Sequence, residues 1–339
     1  MSELPFADAL RRLLAREDLS REETEQLFGQ LMDGALDAAQ KSALLVALAM
    51  KGESAAEIAG AAAAMRRRVV PIPHSRELAV DTCGTGGDGR GTFNVSTAAA
   101  LVAAAGGAAI AKHGNRSVSS RSGSADVLAA LGVTIEVDPA VAARALDEIG
   151  IAFLFAPRLH PAMREVMPVR RALGVRTVFN LLGPLTNPAG AQAQVLGVYG
   201  RDKVELLARV LLELGVRHAL VVHGSDGLDE ITTTGPTSVA EVRDGELRSY
   251  EVEPEELGLS RVPLAALQGG APEENAARME ALLAGNGEPA LAEIVAANAG
   301  AALYVGGRAA TLREGVEQAR ALLAGAAAAR KLAELRQYR

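Results

Sequence analysis

Leu78-Ala-Val80 is a short apolar run that leads into Asp81-Thr-Cys-Gly-Thr-Gly-Gly-Asp-Gly-Arg-Gly-Thr-Phe-Asn-Val-Ser-Thr97, and this stretch decides the fold. Glycine stands at 84, 86, 87, 89 and 91, and the run from Thr97 to Ala105 has the alanine-rich composition of a helix. The pattern predicts a strand, a loop almost without side chains, and a helix start. Such a loop lets backbone N–H groups converge on an anion, and the helix N-terminus adds partial positive charge. Asp88 and Ser96 are hard oxygen groups of the kind that handle a divalent cation and its waters. A second apolar run, Ala108-Ala-Ile-Ala111, is expected to end as a strand at Lys112, His113, Asn115 and Arg116, followed by Ser117, Ser119, Ser120, Arg121 and Ser122. Cations and hydroxyls this dense suit phosphate oxygens. Two anion sites at neighbouring strand ends predict a ligand with two phosphate groups.

Gly84-Thr-Gly86-Gly-Asp-Gly89 also matches the dinucleotide fingerprint G-x-G-x-x-G. That fingerprint needs an acidic residue at the end of the next strand to hold ribose hydroxyls. Here the next strand runs into Lys112, and no acid occurs between Gly89 and Asp126. Nicotinamide binding is therefore disfavoured. A merely structural turn would account for two glycines but not for all five.

A chain of 339 residues can form one large domain or two smaller ones. Hydrophobic residues make up 49% and aromatics only 3%, with no Trp, so the core is built from Ala, Leu and Val. The net charge of −6 argues against a general nucleic-acid or membrane surface, which makes the basic residues near Lys112 local equipment. One cysteine, Cys83, excludes an intrachain disulfide and fits a reducing compartment. With no activating partner beside it, Cys83 reads as a small buried filler rather than a nucleophile. No signal peptide precedes Phe6 and no apolar run approaches membrane length, so a cytoplasmic protein is expected.

The first seventy or so residues read as helices. Ser20 with Glu23, Asp37 with Gln40, and Ser54 with Glu57 form three capping boxes in series. The helix after Asp37 carries Leu44, Leu45, Val46, Leu48 and Met50, apolar over more than one face, which demands cover from two sides. Pro71 and Pro73 end this part and are expected to mark a hinge. From Glu77 strands and helices alternate. Ser124 is expected to cap a helix ending at Gly132, Asp138-Pro139 opens Ala140–Ile149, and strands are expected at Ile151–Phe155, Gln194–Val198 and His218–Val222. Asp244-Gly245 reads as the turn of a hairpin, and the chain after Pro272 reads as helical cover. The fold class is α/β, a mostly parallel central sheet flanked by helices, plus a smaller all-helical domain. The segment from Pro157 to Pro188 breaks the alternation; Arg164, Arg170, Arg171 and Arg176 make it strongly positive.

At these residues the chain resembles the anthranilate phosphoribosyltransferase family. Gly-Thr-Gly-Gly-Asp88, Asn94-Val-Ser-Thr97, Lys112-His-Gly-Asn-Arg116 and Gly123-Ser-Ala-Asp-Val-Leu128 carry the resemblance, and Leu159-His-Pro-Ala-Met163, Leu173-Gly-Val-Arg-Thr177, Phe179-Asn-Leu-Leu-Gly-Pro-Leu-Thr-Asn-Pro188 and Asp229-Glu230 extend it over nearly the whole chain. Ala129, where the family often carries an acid, is a small departure outside the expected ligand positions. The resemblance implies transfer of the phosphoribosyl group of phosphoribosyl pyrophosphate to the amino group of anthranilate, with Mg2+, in a cytoplasmic homodimer of the tryptophan pathway. It implies a helical domain over 1–72, rejoined by part of 165–190 and serving as the dimer interface, and an α/β domain over 75–160 and 191–339. Residues implied at phosphoribosyl pyrophosphate are Gly84, Gly87, Asp88, Thr92, Asn94, Val95, Ser96, Thr97, Lys112, His113, Gly114, Asn115, Arg116, Ser117, Val118, Ser119, Ser120 and Ser124. Gly84, Asn115 and Arg170 are implied at anthranilate, and Ser96, Asp229 and Glu230 at metal, with His113 and His160 as second choices for the aromatic pocket. No catalytic base is implied. The rivals are a pyrimidine nucleoside phosphorylase, whose donor carries no pyrophosphate, and a non-catalytic nucleic-acid-binding relative, which calls for a basic surface.

Overall fold

The structure, a computed structural model, describes residues 4–117 and 121–339. Its first helices are α1 (Phe6–Leu14), α2 (Arg21–Met32), α3 (Ala38–Lys51) and α4 (Ala55–Arg66). All three expected capping boxes form: the Ser20, Asp37 and Ser54 side chains accept from the backbone of Glu23, Gln40 and Glu57, whose side chains reach back to the cap N–H groups. Leu27, Phe28, Leu31, Leu44, Leu45, Leu48 and Ile58 fill the centre of this bundle. Leu14 and Met50 are left 70% and 74% exposed, so α1 and the end of α3 carry uncovered apolar side chains.

The remainder runs β1 (Ala79–Asp81), α5 (Val95–Ala105), β2 (Ala109–Gly114), α6 (Ser124–Ala130), α7 (Pro139–Ile149), β3 (Ile151–Phe155), α8 (Ala156–Leu159), α9 (Met167–Leu173), α10 (Phe179–Leu182), β4 (Ala193–Gly197), α11 (Asp202–Glu213), β5 (His218–Gly224), β6 (Thr237–Arg243) and β7 (Glu246–Val252). Then come α12 (Pro272–Leu283), α13 (Pro289–Val305), α14 (Leu312–Ala324) and α15 (Ala327–Leu335). The strands lie in the order β3-β2-β1-β4-β5-β6-β7. β3, β2, β1, β4 and β5 are parallel, while β6 and β7 complete the edge as an antiparallel hairpin. Asp244 and Gly245 both take positive φ (49° and 86°), the geometry that a two-residue hairpin turn needs. Because the chain builds outward from β1 to β3 and then returns to β4, the sheet reverses its order between β1 and β4. Loops leaving the carboxyl ends of these two strands diverge there and open a crevice.

Period-two alternation assigns the sheet's side chains to its two faces. Val80, Ile110, Phe153, Val195, Leu220 and Val222 pack against α5 and the helices from α12 onward. On the other face Ala79, Ala111 and Leu154 meet α7, while Leu196, Val221 and Ala240 meet α11. Val166, Val169, Val178, Phe179, Leu181 and Leu185 share one buried cluster with Phe28, Leu44 and Leu48. The Pro157–Pro188 segment therefore returns to the helical bundle.

Two local expectations change. β2 does not stop at Lys112: it stays paired with β3 through His113 and Gly114, so Lys112 and His113 are buried strand residues facing opposite sides. α6 is capped by Gly123, not Ser124; the Asp126 side chain takes the Gly123 N–H, and Ser124 is the first helical residue. The connector around Pro71–Pro73 is tied to the returning segment by two backbone bonds, Val70 N–H donating to Leu159 O (2.8 Å) and Ile72 N–H to Pro188 O (3.0 Å).

Candidate active site

The glycine loop leaves β1 at the reversal point. Gly86, Gly87, Gly89 and Gly91 have φ of 64°, 76°, 71° and 63°, a region that residues with a Cβ rarely enter. Gly84 is needed for a different reason: a Cβ there would come within 2.9 Å of Asp229 Oδ2 and 3.2 Å of Gly197 O. The loop is pinned to β4, since Thr85 N–H donates to Gly197 O (2.8 Å) and Thr85 Oγ1 accepts from Tyr199 N–H (3.1 Å). Asn94 occupies the cap position of α5 without capping it; its side chain bonds Ser122 and Asn275 instead. Val95 and Thr97 are buried, so toward the crevice they have only backbone to offer. Thr92 is half-buried and forms an isolated bridge with Gln268.

The second turn follows β2. Lys112 lies beneath the glycine loop rather than in solvent, and its Nζ donates to Thr82 O, Thr82 Oγ1 and Ser96 Oγ, each at 3.2 Å. It places a positive charge under the turn while holding the serine hydroxyl. Gly114 is crowded: a Cβ would meet Ser124 Oγ at 2.3 Å. Asn115 and Arg116 are exposed, and Arg116 pairs with Asp126 (3.2 Å), which also accepts the N–H groups of Ser117 and Gly123. Ser124 Oγ donates to Asn115 O (3.3 Å). The expectations for Val118, Ser119 and Ser120 lie outside the described residues.

Asp229 and Glu230 enter from the turn after β5. Asp229 Oδ2 accepts the Gly86 N–H (2.9 Å) and Glu230 Oε1 accepts the Ser96 N–H (3.1 Å) in the first turn of α5. Two carboxylates thus sit on N–H donors from the glycine loop and the helix start. Burial, with the neighbouring Asp88 carboxylate, pushes Asp229 up to about 7. Burial and the Asp229 charge push Glu230 well above the usual carboxylate range, against the pull of Lys112. Asp229 and Glu230, both with raised proton affinity, lie beside the Asp88 carboxylate and the Ser96 hydroxyl and form with them a hard-oxygen set suited to a divalent cation such as Mg2+.

A second cluster lies deeper. The Asp81 carboxylate, the Cys83 thiol and an imidazole nitrogen of His113 lie within 4.8 Å of one another. The carboxylate is already committed: Oδ1 accepts the His113 N–H (3.1 Å) and Oδ2 accepts from Asn187 Nδ2 (2.7 Å). Burial raises Asp81 to about 6 and pushes the Cys83 thiol up further, so Cys83 is not activated. Cys83 is half-buried rather than fully covered. Cys83 Sγ turns to Gly84 O (3.5 Å) and the His113 ring to Gly183 and His160, so all three groups are committed to protein partners.

The crossing segment closes the crevice from the other side. The Arg170 guanidinium is half-buried over the Phe179 ring (5.6 Å) and pairs with no acid among the described residues. Arg176 lies over the Tyr199 ring (4.1 Å) and donates to Gly87 O (2.6 Å), bridging to the glycine loop. Arg164 and Arg171 are exposed. His160 Nε2 lies 3.0 Å from His113 Nε2, and His113 Nδ1 lies 3.2 Å from Gly183 O. Since a carbonyl only accepts, His113 carries its proton on Nδ1 and His160 donates from Nε2. Sequence reasoning passed over Gly197, although a glycine at a strand end is the usual mark of close backbone approach. It also left Asp81 and Asn187 without a role, because nothing in the linear chain shows that they meet.

A groove in the helical bundle, lined by Glu22, Glu25, Asp33, Arg67 and Arg68, has arginines that pair with its acids, Arg67 with Glu25 at 2.6 Å and Arg68 with Asp33 at 2.5 Å. The chemistry belongs to the crevice.

Residues 76–329 match the profile described as Glycosyl transferase family, a/b domain, and residues 7–69 match Glycosyl transferase family, helical bundle domain. An anthranilate phosphoribosyltransferase of Symbiobacterium thermophilum is 52% identical over 329 residues, covering 97% of this chain and 96% of that protein. The crystal structure of anthranilate phosphoribosyltransferase from Thermus thermophilus superposes with a TM-score of 0.93 at 50% identity, covering 98% of this chain and 99% of that one. The Saccharomyces cerevisiae enzyme, solved in complex with PRPP and Mg, gives 0.87 at 28% identity, with 99% and 98% covered. With identity near one half over the whole length and a whole-chain superposition at a TM-score of 0.93, the chain belongs to the anthranilate phosphoribosyltransferase family.

Proposed function

We propose that this protein transfers the phosphoribosyl group of phosphoribosyl pyrophosphate to the amino group of anthranilate, releasing pyrophosphate. The observation that carries this reading is the convergence, at the point where the sheet reverses, of the glycine-loop and helix-start N–H groups of Gly86 and Ser96 with the carboxyl groups of Asp229 and Glu230 that they hold. The family's named activity and the yeast relative's complex with PRPP and Mg support it.

In the transfer the C1–O bond to pyrophosphate breaks and a bond from the amine nitrogen to C1 forms. Negative charge builds on the leaving pyrophosphate and positive charge on the sugar. The glycine-loop amides and the start of α5 are fixed dipoles for that negative charge, with Lys112 beneath them. Gly87, Asp88, Thr92, Asn94, the Val95 and Thr97 backbone, Ser96, Lys112, His113, Gly114, Asn115, Arg116, Ser117 and Ser124 are assigned to the phosphoribosyl pyrophosphate side, with Val118, Ser119 and Ser120 as the continuation of that turn. Asp229, Glu230 and Ser96 would hold Mg2+, which when bound neutralises pyrophosphate charge. Arg170 is assigned to the anthranilate carboxylate, with Asn115 and the Gly84 backbone nearby. The aromatic amine is neutral near pH 7, and the proton it sheds on bonding passes to solvent without a dedicated base.

We further propose that the unit over 1–72, with part of 165–190, is the smaller domain, and that 75–160 with 191–339 forms the larger. The exposed Leu14 and Met50 support a homodimer through the helical unit. Among the described residues no helix is long and apolar enough to cross a membrane. A cytoplasmic location is proposed, supported by the single cysteine.

Anthranilate fluorescence tests the reading. A loss of signal that requires both phosphoribosyl pyrophosphate and Mg2+ is expected; a folded sample that leaves the signal unchanged would refute it.

A further inference from the structure

The pairing between β1 and β2 ends one residue before the site begins. Its rungs are Ala79 with Ala109 and Val80 with Ile110, while β2 stays paired with β3 through Gly114. Asp81 remains paired with Gln194 of β4. β1 therefore parts from β2 at its carboxyl end, and two β2 backbone groups on that side, Ala111 O and His113 N–H, lose their strand partner.

Side chains replace the missing rungs. Asp81 Oδ1 accepts the His113 N–H (3.1 Å), and Asn187 Nδ2 donates to Ala111 O (2.8 Å). The two side chains are joined, Asn187 Nδ2 donating to Asp81 Oδ2 (2.7 Å), and Asn187 Oδ1 accepts the Ala189 N–H (2.9 Å). Asp81, His113 and Asn187 are all buried, Asp81 completely, so water cannot substitute for any partner. The bridge stands between the two turns. Asp81 is three residues before Gly84, and His113 directly precedes Gly114 and Asn115.

We propose that Asp81, together with Asn187, is a positioning element for phosphoribosyl transfer: it fixes the separation of the two anion-binding turns and ties both to the segment returning from the helical bundle. The proposal deepens the phosphoribosyl-transfer reading and rests on it. Neither side chain touches substrate; both act through the backbone of β2. A bridge serving only stability would leave the bound geometry alone and change the folded fraction.

The test is a double-mutant cycle with Asp81→Ala, Asn187→Ala and the pair, measured as KM for phosphoribosyl pyrophosphate and kcat at saturating anthranilate and Mg2+. Each single variant is expected to raise that KM by about tenfold. The double variant should be no worse than the poorer single, because one bridge is lost in all three. Amide exchange of the 109–117 peptide, read on the same samples without substrate, should quicken in Asp81→Ala. Asp81→Asn, which keeps the His113 acceptor but sets an amide against the Asn187 amide, serves if Asp81→Ala does not fold. An unchanged KM with only a lower melting point, or additive effects, would overturn the positioning role while leaving the transferase reading intact. A wild-type protein that never consumes anthranilate would overturn both, whatever the exchange data show about the bridge.

Discussion

Gly197 lies so close to Asp229 that a Cβ on Gly197 would fall 1.6 Å from the Asp229 carbonyl oxygen. The last residue of β4 thus sets the height of the turn carrying Asp229 and Glu230, and its own carbonyl accepts the Thr85 N–H of the glycine loop. Gly197→Ala must push the acidic turn away, because the obstructing atom is backbone. Overpacking of this kind costs about 1–3 kcal/mol. The variant is expected to melt lower and to lose more than tenfold in kcat/KM, with a raised Mg2+ requirement. A Mg2+ titration of the rate beside a melting curve checks it; wild-type values in both would show that the turn tolerates the shift.

Burial and a neighbouring carboxylate, Asp88 for Asp229 and Asp229 for Glu230, disfavour the charged forms of both acids. The double substitution Asp229→Asn, Glu230→Gln removes that repulsion. The folded protein should keep or gain thermal stability while its activity falls by two orders of magnitude or so, and the Mg2+ concentration for half-maximal rate should rise. Removing Mg2+ with a chelator should abolish wild-type turnover. An unaltered Mg2+ titration in the double variant would take both acids out of the metal assignment.

Much of this site was legible in the chain because its parts are local. Glycine spacing announces the loop, and each capping box lies within four residues, so short-range chemistry dictates both. Strand ends were less legible. Lys112 and His113 look like loop residues because charge usually marks a surface, yet they continue β2, and the alternation sends Lys112 toward Ser96 and His113 toward Gly183. The Asp81–Asn187 contact spans 106 positions and exists only because β1 and β2 part company, which no local pattern encodes. Gly197 was hidden for the same reason: the residue that forbids its Cβ is Asp229, beyond the next strand in the chain.

Arg170 has a ring beneath it and, among the described residues, no acid paired with it, and burial holds its pKa below the usual arginine value. A half-buried cation without a counter-ion is ready to receive a carboxylate. Arg170→Ala is expected to raise the anthranilate KM by about tenfold or more, with the phosphoribosyl pyrophosphate KM nearly unchanged. Arg170→Lys should recover only part of this, since an ammonium cannot reproduce a two-pronged grip. Steady-state kinetics with each substrate varied in turn decides the matter; an unmoved anthranilate KM would reassign Arg170 to packing.

The buried His113–His160 pair gives the protein a pH signature. Burial, aided for His113 by its histidine neighbour, lowers His113 to about 3 and His160 to about 4, from an ordinary 6.5. In the unfolded chain both take up protons as pH falls through 6.5, whereas the folded protein refuses them until near 4. Their contribution to stability is therefore complete above pH 6.5 and is lost progressively below it, at up to about 1.4 kcal/mol per pH unit for each proton refused. Asp81 and Asp229, raised to about 6 and 7, oppose this, because the folded state binds their protons more readily than the unfolded chain does. The raw stability curve mixes both signs, so the comparison with His160→Gln isolates the histidine. That variant keeps an N–H for His113 Nε2 but cannot titrate. The stability advantage of wild type over His160→Gln is expected to shrink steadily from pH 7 to pH 4.5 in denaturant melts. A difference that stays constant over that range would mean that His160 takes up its proton equally in the folded and unfolded protein, and so is not held neutral by burial.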